Sequence, residues 1–236
     1  MTFPPRPFMG IILIFTQSFR VFLERKDERK YMIKKLVLKN RSTRRFWAKK
    51  SVSLKILFDL VDLARLSPSD ANRQPLKYIR VNNPAQKRDV FSCLKWAAYL
   101  KDWDGPQVHE RPAAYIIMLV DTGISSRCEQ DQGIAAQSIL LGAVEKGIAG
   151  CIIGSINRKR LRTFLKIPKK YEIALVIALG KANEKIVIDE IYSGKEDIRY
   201  WRDKNSVHHV PKRCLEDVVL RCNDSKYQGV RHGNQD

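Results

Sequence analysis

Two almost uninterrupted apolar segments constrain the fold of this chain more than any other feature of its sequence. The first, AAYIIMLV, spans Ala113 to Val120, and the second, EIALVIALG, spans Glu172 to Gly180. Both are short and rich in β-branched and large aliphatic residues, which indicates β-strands. Since neither alternates apolar with polar residues, each strand must be covered on both faces.

Together with these two strands, the predicted elements follow the order α, β, α, β, long α, short β, α, β, in which the two apolar segments are the second and the last strand. The additional elements are predicted at 53–67, Leu76–Asn82, Pro84–Leu100, Cys128–Lys146, 149–156 and Arg158–Lys166. In the first helix Ser53 is the predicted N-cap, and Pro68 ends the helix because proline disfavours helical geometry in the preceding residue. Gly147 is the predicted C-cap of the long helix. The apolar stripe of the first helix comprises Leu54, Leu57, Phe58, Val61 and Ala64.

Charge limits the kinds of partner. The 236 residues include 44 Lys and Arg against 25 Asp and Glu, which gives a formal net charge of +19. With 44% hydrophobic residues the chain is typical of a globular protein and not of a disordered one. The positive excess favours an anionic partner, which can be a phosphate, a nucleic acid or an acidic membrane surface.

The spacing of cysteine and histidine in this sequence predicts no metal site. The five cysteines are odd in number and have no C-x-x-C pair, so we expect reduced, buried thiols. They are Cys93, Cys128, Cys151, Cys214 and Cys222. The adjacent His208 and His209 would point to opposite sides of an extended strand, and we expect both at the surface.

The N-terminal segment predicts no membrane anchor. Its apolar run from Phe8 to Phe15 is far shorter than the roughly 20 residues that a spanning helix needs, and no small-residue cleavage site follows. We expect residues 1–34 to be an extension outside the fold, 35–220 to be one domain and 221–236 to be a polar tail. The expected location is cytoplasmic.

Two polar clusters stand out, while the common nucleotide and hydrolase motifs are missing. The sequence has no G-x-G-x-x-G after a strand, no Walker loop, no H-E-x-x-H and no G-x-S-x-G. Residues Asn40–Phe46, NRSTRRF, combine three guanidinium groups with two hydroxyls, a set suited to a terminal phosphate or to a solvated basic turn. Residues Ser67–Pro75 place amide and hydroxyl groups between two prolines in a loop, where a scaffold can hold them toward a ligand.

Taken together, five motifs of this sequence resemble the nitroreductase family of FMN-dependent oxidoreductases. They are N-R-S-T-R-R-F from Asn40, S-P-S-x-x-N-x-Q-P from Ser67, the segment from Gly133 to Gly154, A-L-V-I-A-L-G-K from Ala174 and V-P-K-R from Val210. The similarity covers about Lys35 to Val219. It implies an α+β fold, a three-layer sandwich with a mixed sheet flanked by helices. It also implies a homodimer with FMN bound in clefts between the subunits.

The resemblance assigns cofactor-binding residues position by position. Arg41, Ser42 and Arg44 match the phosphate-binding residues of the family, and Arg213, with Lys212 as a weaker candidate, matches a basic residue that returns to the phosphate. The residues matched to the loop along the flavin are Ser69, Asn72 and Gln74, and those matched to the segment facing the ring are Ile152, Ile153 and Gly154. Asn40 departs from the family, which often has arginine there, so Arg45 or Lys212 would have to compensate.

The resemblance implies that FMN carries hydride from NADH or NADPH to a small-molecule acceptor, in a ping-pong reaction. The acceptor can be a nitroaromatic compound, a quinone, an enone or free flavin. No separate catalytic side chain and no metal is expected, because the cofactor performs the electronic step. Two alternatives remain open: a flavin-binding sensor or storage protein, and a basic nucleic-acid-binding protein. The second is less favoured, because the cations between Arg158 and Lys170 are most simply a solvent-exposed helix face.

Overall fold

The structure is a computed structural model that describes residues 32–125, 127–192 and 197–220. These residues form two compact units. The first unit comprises the described residues up to 96 and from 105 to 183, and the second comprises 97–104 and the described residues from 184 onward. Cys222, the polar tail from 221 and the first 31 residues of the expected extension lie outside the described residues.

The first unit contains the predicted elements in the predicted order, preceded by one additional helix. The helices are α1 Met32–Lys39, α2 Leu54–Leu66, α3 Pro84–Phe91, α4 Glu129–Glu145 and α5 Arg158–Phe164. The strands are β1 Leu76–Val81, β2 Ala114–Asp121, β3 Ala149–Ile153 and β4 Tyr171–Gly180. Single 3-10 turns lie at Asp70–Asn72 and Val108–Glu110. The predicted N-cap is confirmed, since the Ser53 hydroxyl accepts the backbone N–H of Ile56.

The four strands form one sheet in the order β1-β2-β4-β3, with antiparallel neighbours. The two strands predicted to be covered on both faces, β2 and β4, are the central pair. On one face Ile116 and Met118 of β2 join a core with Ile139 of α4. The alternate residues Tyr115 and Ile117, which point to the other face, are also buried. The α+β class and its layers of helix and sheet are therefore confirmed, but the four-stranded sheet is antiparallel and not mixed as predicted.

The second unit contains a smaller mixed sheet that the sequence analysis did not predict. Its strands are β5 Ile186–Ile191, β6 Trp201–Arg202 and β7 His208–Arg213, and a short helix, α6, spans Leu215–Val218. The order is β5-β7-β6, with β5 and β7 parallel and β6 antiparallel to β7. These strands are short and partly exposed, and they carry polar residues that weaken the apolar signal.

The predicted helix from Pro84 to Leu100 is wrong in its second half, because α3 ends at Phe91. After Phe91 the backbone pairs with a distant segment instead of continuing the helix. The N–H of Lys95 donates to the carbonyl of Ser155, and the N–H of Asn157 donates to that of Cys93. These nonlocal hydrogen bonds outweigh the helical propensity of the segment.

The predicted stripe of α2 is also partly wrong. Leu57, Leu60 and Ala64 are buried, but the side chains of Leu54 and Phe58 are 50% and 60% exposed. The buried face of the helix is therefore turned about the helix axis, so that Leu60, which the prediction omitted, faces the core. The apolar residues Leu54 and Phe58 remain on a surface of this unit.

His208 is not a surface residue as predicted, since only 1% of it is exposed. Its ring lies 5.3 Å from that of Tyr200, while His209 is half-buried with Nδ1 2.9 Å from an Asp189 oxygen. The two rings have different neighbours, which agrees with the prediction that they point to opposite sides of the strand. The cysteine prediction is confirmed for the four that the structure describes, which are buried and form no disulfide with one another.

Candidate cofactor-binding site

The basic segment Asn40–Phe46 is fixed against the edge strand β3. Ser42 forms a parallel bridge with Gly150, and the N–H of Thr43 donates to the Gly150 carbonyl at 3.0 Å. Phe46 is fully buried and anchors the end of the segment. Its ring lies so close to Gly180 that a Cβ there would approach it to 2.9 Å. The fold thus holds the arginines beside the start of β3.

The arginines of this segment differ in what they contact. Arg41 is half-buried and donates from one terminal nitrogen to the Val37 carbonyl at 2.7 Å. Its Nε atom is buried without a partner among the described residues, and burial lowers the pKa of the guanidinium. Arg44 donates to the Ser42 carbonyl at 3.0 Å. A partly desolvated guanidinium with an unused donor is suited to a bound anion.

Arg45 and Asn40 have other contacts. The Nε atom of Arg45 lies 3.6 Å from a carboxylate oxygen of Glu110. Asn40, at the position where the family often has arginine, donates its side-chain amide to Gln137 on α4 at 3.2 Å. Since Arg45 lies beside an acid, its charge is partly neutralised, which weakens it as a candidate for compensating the missing cation.

Beyond Gly150 the outer edge of β3 is open in the part of the chain that the structure describes. The Gly150 carbonyl points away from β4 to reach Thr43, and backbone direction alternates along a strand. The N–H group of Ile152 therefore points to the same outer edge, and Gly154 follows directly after the strand. Pairing resumes where the Ser155 carbonyl accepts the N–H of Lys95. The side chain of Ile152 is 41% exposed, whereas Ile153 is buried against the sheet.

The two glycines that bracket this edge have different packing. A Cβ at Gly150 would lie 2.5 Å from Cδ2 of Leu140 and 2.8 Å from the carbonyl oxygen of Ala178. A Cβ at Gly154 would have Leu175 Cδ2 as its nearest neighbour, at 3.9 Å. Packing within the described residues thus requires glycine at 150 but not at 154.

The second polar cluster, Ser67–Gln74, is organised by a carboxylate that the sequence analysis missed. Asp131 of α4 is only 3% exposed. Its Oδ2 accepts the Ser69 hydroxyl at 2.5 Å, and its Oδ1 accepts the N–H of Asp70 at 2.9 Å. The Ser69 hydroxyl in turn accepts the N–H of Gln74 at 2.9 Å. The only sequence signal was an acid in the first turn of a helix, which is ordinarily explained by the helix dipole.

This loop has unusual backbone geometry. Ala71, Asn72 and Gln74 have φ angles of 47°, 54° and 51°, in the left-handed region that non-glycine residues rarely occupy. The side-chain amide of Gln74 donates to Asn72 Oδ1 at 3.0 Å. A cavity of about 330 Å³ lies beside the loop and is lined in part by Ser69, Gln74, Tyr78 and Asp131. Strain of this kind is characteristic of ligand-binding loops.

Lys212 and Arg213 belong to the second unit, where they form the exposed end of β7. They pair in register with Glu190 and Ile191 of β5. The expectation that they share a phosphate with Arg41 stays a prediction.

The basic segment between Arg158 and Lys170 is not simply a solvent-exposed face, which corrects the sequence interpretation. Arg158 donates to the carbonyls of Ile173 and Ala174 at 2.8 and 3.1 Å, where a bulge shifts the register of β4 against β2. Arg162 donates to three further backbone carbonyls. Both arginines satisfy carbonyls of their own fold, and this lowers the number of cations available to a nucleic acid.

A comparison with known families identifies this architecture. The sequence profile described as the nitroreductase family matches residues 37–181, more than half of the chain. The chain belongs to the nitroreductase family. The matched range includes the arginine segment, the Ser67–Gln74 loop and β3. Family membership supports a general oxidoreductase role for this nitroreductase-family chain.

Solved structures of nitroreductase-family proteins share the fold. An FMN-dependent nitroreductase from Clostridium difficile R20291 is 25% identical, with a TM-score of 0.52 over 64% of this chain and 87% of that one. A family protein from Streptococcus pneumoniae TIGR4 is 18% identical, with a TM-score of 0.54 over 65% and 92%. A third, from Clostridium novyi NT, is 22% identical, with a TM-score of 0.52 over 63% and 85%. Among the described helices, none is long and apolar enough to cross a bilayer.

Proposed function

We propose that this protein is an FMN-dependent oxidoreductase that uses NADH or NADPH to reduce a small-molecule acceptor in a ping-pong reaction. The acceptor class comprises nitroaromatics, quinones, enones and flavins. The observation that carries the proposal is the arginine segment held beside the open outer edge of β3. This arrangement offers cations for a phosphate and backbone donors for a ring within one unit. In this proposal the protein acts as a homodimer in the cytoplasm.

The phosphate end of the site would be held by Arg41, Ser42 and Arg44. The FMN phosphate carries close to two negative charges at neutral pH, and charge-assisted hydrogen bonds from guanidinium groups are the strongest that side chains offer to it. The buried Nε of Arg41, which lacks a described partner, would gain one. For Lys212 and Arg213, a contact with this phosphate stays a prediction of the resemblance.

The ring would lie along the open edge of β3. Ile152 and Gly154 would present N–H donors, and the absence of a side chain at Gly154 would let the backbone approach the ring closely. Asn72 and Gln74 would offer amide groups from the strained loop. When bound, FMN supplies the two-electron chemistry, while the chain supplies position and polarity. The FMN-dependent relative from C. difficile supports this choice of cofactor.

An absorbance spectrum of the purified full-length protein tests cofactor, activity and donor together. We expect flavin absorbance bands on purification or after addition of FMN, and loss of the visible band of oxidised flavin on anaerobic mixing with NADH or NADPH. Protein that takes up no FMN would refute the proposal. Protein that binds FMN but is bleached by neither nucleotide would instead be a flavin sensor or storage protein.

A further inference from the structure

The carboxylate of Asp131 is used in an uncommon way. It stands at the third position of α4, where an acidic side chain ordinarily bonds its own helix N-terminus. Here both of its oxygens accept hydrogen bonds from the loop some sixty residues earlier, at Ser69 and Asp70. Because a buried charge is costly unless its hydrogen bonds are complete, α4 and the loop are tightly coupled through this group.

Ser69 transmits the effect of Asp131 along the loop. Its hydroxyl has one proton, which it donates to Asp131, so the lone pairs of its oxygen are left to accept the N–H of Gln74. Gln74, which makes this contact, has a φ of 51°. The side chain of Gln74 then holds Asn72, whose φ is 54°. A chain of hydrogen bonds therefore runs from the helix to the two amide side chains.

Left-handed backbone at non-glycine residues persists only where the surroundings impose it. The loop has three such residues and contacts α4 at its start through the Ser67 hydroxyl, 2.7 Å from that of Ser138. Ser138 lies about two helical turns after Asp131, so the two contacts are comparable links between the same elements. Only the Asp131 link reaches Gln74.

We propose that Asp131 is a positioning residue which, through Ser69, fixes the backbone of Asn72 and Gln74 and so the direction in which their amide groups meet the cofactor. This inference rests on the proposed function, in which those amides lie along the flavin. In this proposal Asp131 acts through Ser69 and not through a contact of its own with the cofactor. Its charge also acts on the neighbouring Tyr78: burial first, and then Asp131, raises the pKa of that phenol to about 12, which keeps it neutral.

The test is a double-mutant cycle with Asp131→Asn and Ser69→Ala in the full-length protein. Asparagine has nearly the shape of aspartate but can accept through only one atom. Ser138→Ala is the matched control, since it removes a hydroxyl contact between the same helix and the same loop. Three quantities are measured: amide hydrogen exchange at Asp70 and Gln74 without FMN, the FMN dissociation constant, and the visible circular dichroism of bound flavin.

We expect each single substitution to accelerate exchange at Gln74 and to weaken FMN binding by about 10- to 100-fold, as for the loss of a hydrogen bond to a charged group. The double variant should be no worse than Asp131→Asn alone, because the two residues act in series. The flavin circular dichroism should change in the variants and not in the control, whose affinity should stay within about twofold. A merely structural role would lower the melting temperature and leave this spectrum unchanged.

Additive losses in the double variant, or unchanged FMN affinity and exchange in Asp131→Asn, would overturn the proposal. If Asp131→Asn fails to fold, Ser69→Ala decides alone, because it breaks the relay and leaves Asp131 bonded to Asp70. If the wild type binds no FMN, the proposed function fails and the role toward flavin fails with it. The exchange measurements then decide separately whether Asp131 sets the loop.

Discussion

Alanine at Gly150 of β3 and alanine at Gly154, just after the strand, should have different consequences. At Gly150 the added Cβ would lie 2.5 Å from a methyl of Leu140 and 2.8 Å from a backbone oxygen of the central strand β4. The methyl can move, but the strand backbone cannot move without disturbing the sheet. At Gly154 the nearest atom would be 3.9 Å away, which is an ordinary van der Waals contact.

These distances give the expected magnitudes. Overpacking of the kind found at Gly150 costs about 1 to 3 kcal/mol of unfolding free energy, and the fixed backbone contact favours the upper part of that range. A loss of about 2 to 3 kcal/mol lowers the melting temperature by about 4 to 12 °C in a protein of this length. Gly154→Ala should change the unfolding free energy by less than about 0.5 kcal/mol. It should weaken FMN binding by about tenfold or more, because the methyl group holds the backbone away from the ring.

Thermal and urea unfolding without FMN, followed by a flavin fluorescence titration, measures both effects on the same samples. Gly150→Ala serves as the control for a fold defect on the same strand, and its affinity is compared at a temperature where it remains folded. If Gly154→Ala lowered stability as much as Gly150→Ala, the packing argument would be wrong. If it folded normally and bound FMN as tightly as the wild type, the ring would not lie against residue 154.

Three further predictions concern other parts of the molecule. The double substitution Arg41→Ala with Arg44→Ala should raise the FMN dissociation constant at least about 100-fold, because two charge-assisted contacts are lost. The melting temperature without FMN should fall little. Equal FMN affinity of variant and wild type in a titration would contradict this prediction. Arg158→Ala should lower the unfolding free energy by about 2 kcal/mol because two carbonyls at the β4 bulge lose their donor, whereas Lys159→Ala, an exposed control, should be neutral in urea titrations. Folding raises the pKa of Tyr78 from its ordinary 10 to about 12, so the stability that this phenol contributes should be complete below pH 10 and fall by about 2 kcal/mol as the pH rises toward 12. Urea titrations of Tyr78→Phe should lack this fall. If the unfolding free energy of Tyr78→Phe changed with pH as that of the wild type does, Tyr78 would not titrate in this range.

Several features could be predicted from sequence because they depend on local patterns. The apolar runs of β2 and β4, the Ser53 N-cap and the end of α2 before Pro68 follow from residues close to one another in the chain. The family was likewise recognisable because its motifs are contiguous. The end of α3 was not predictable in this way, since nonlocal hydrogen bonds between 93–95 and 155–157 ended the helix.

The candidate site divides along the same line. The sequence by itself determined which residue types are present: the arginines of 40–46, the amides of Asn72 and Gln74, and a glycine at 154. Only the tertiary structure decided that Arg158 and Arg162 hold carbonyls instead of facing a partner, and that Asp131 holds a loop about sixty residues away. The physical reason is that the choice of partner for a charged group depends on which unsatisfied hydrogen-bonding groups the fold places beside it, and no local pattern records this.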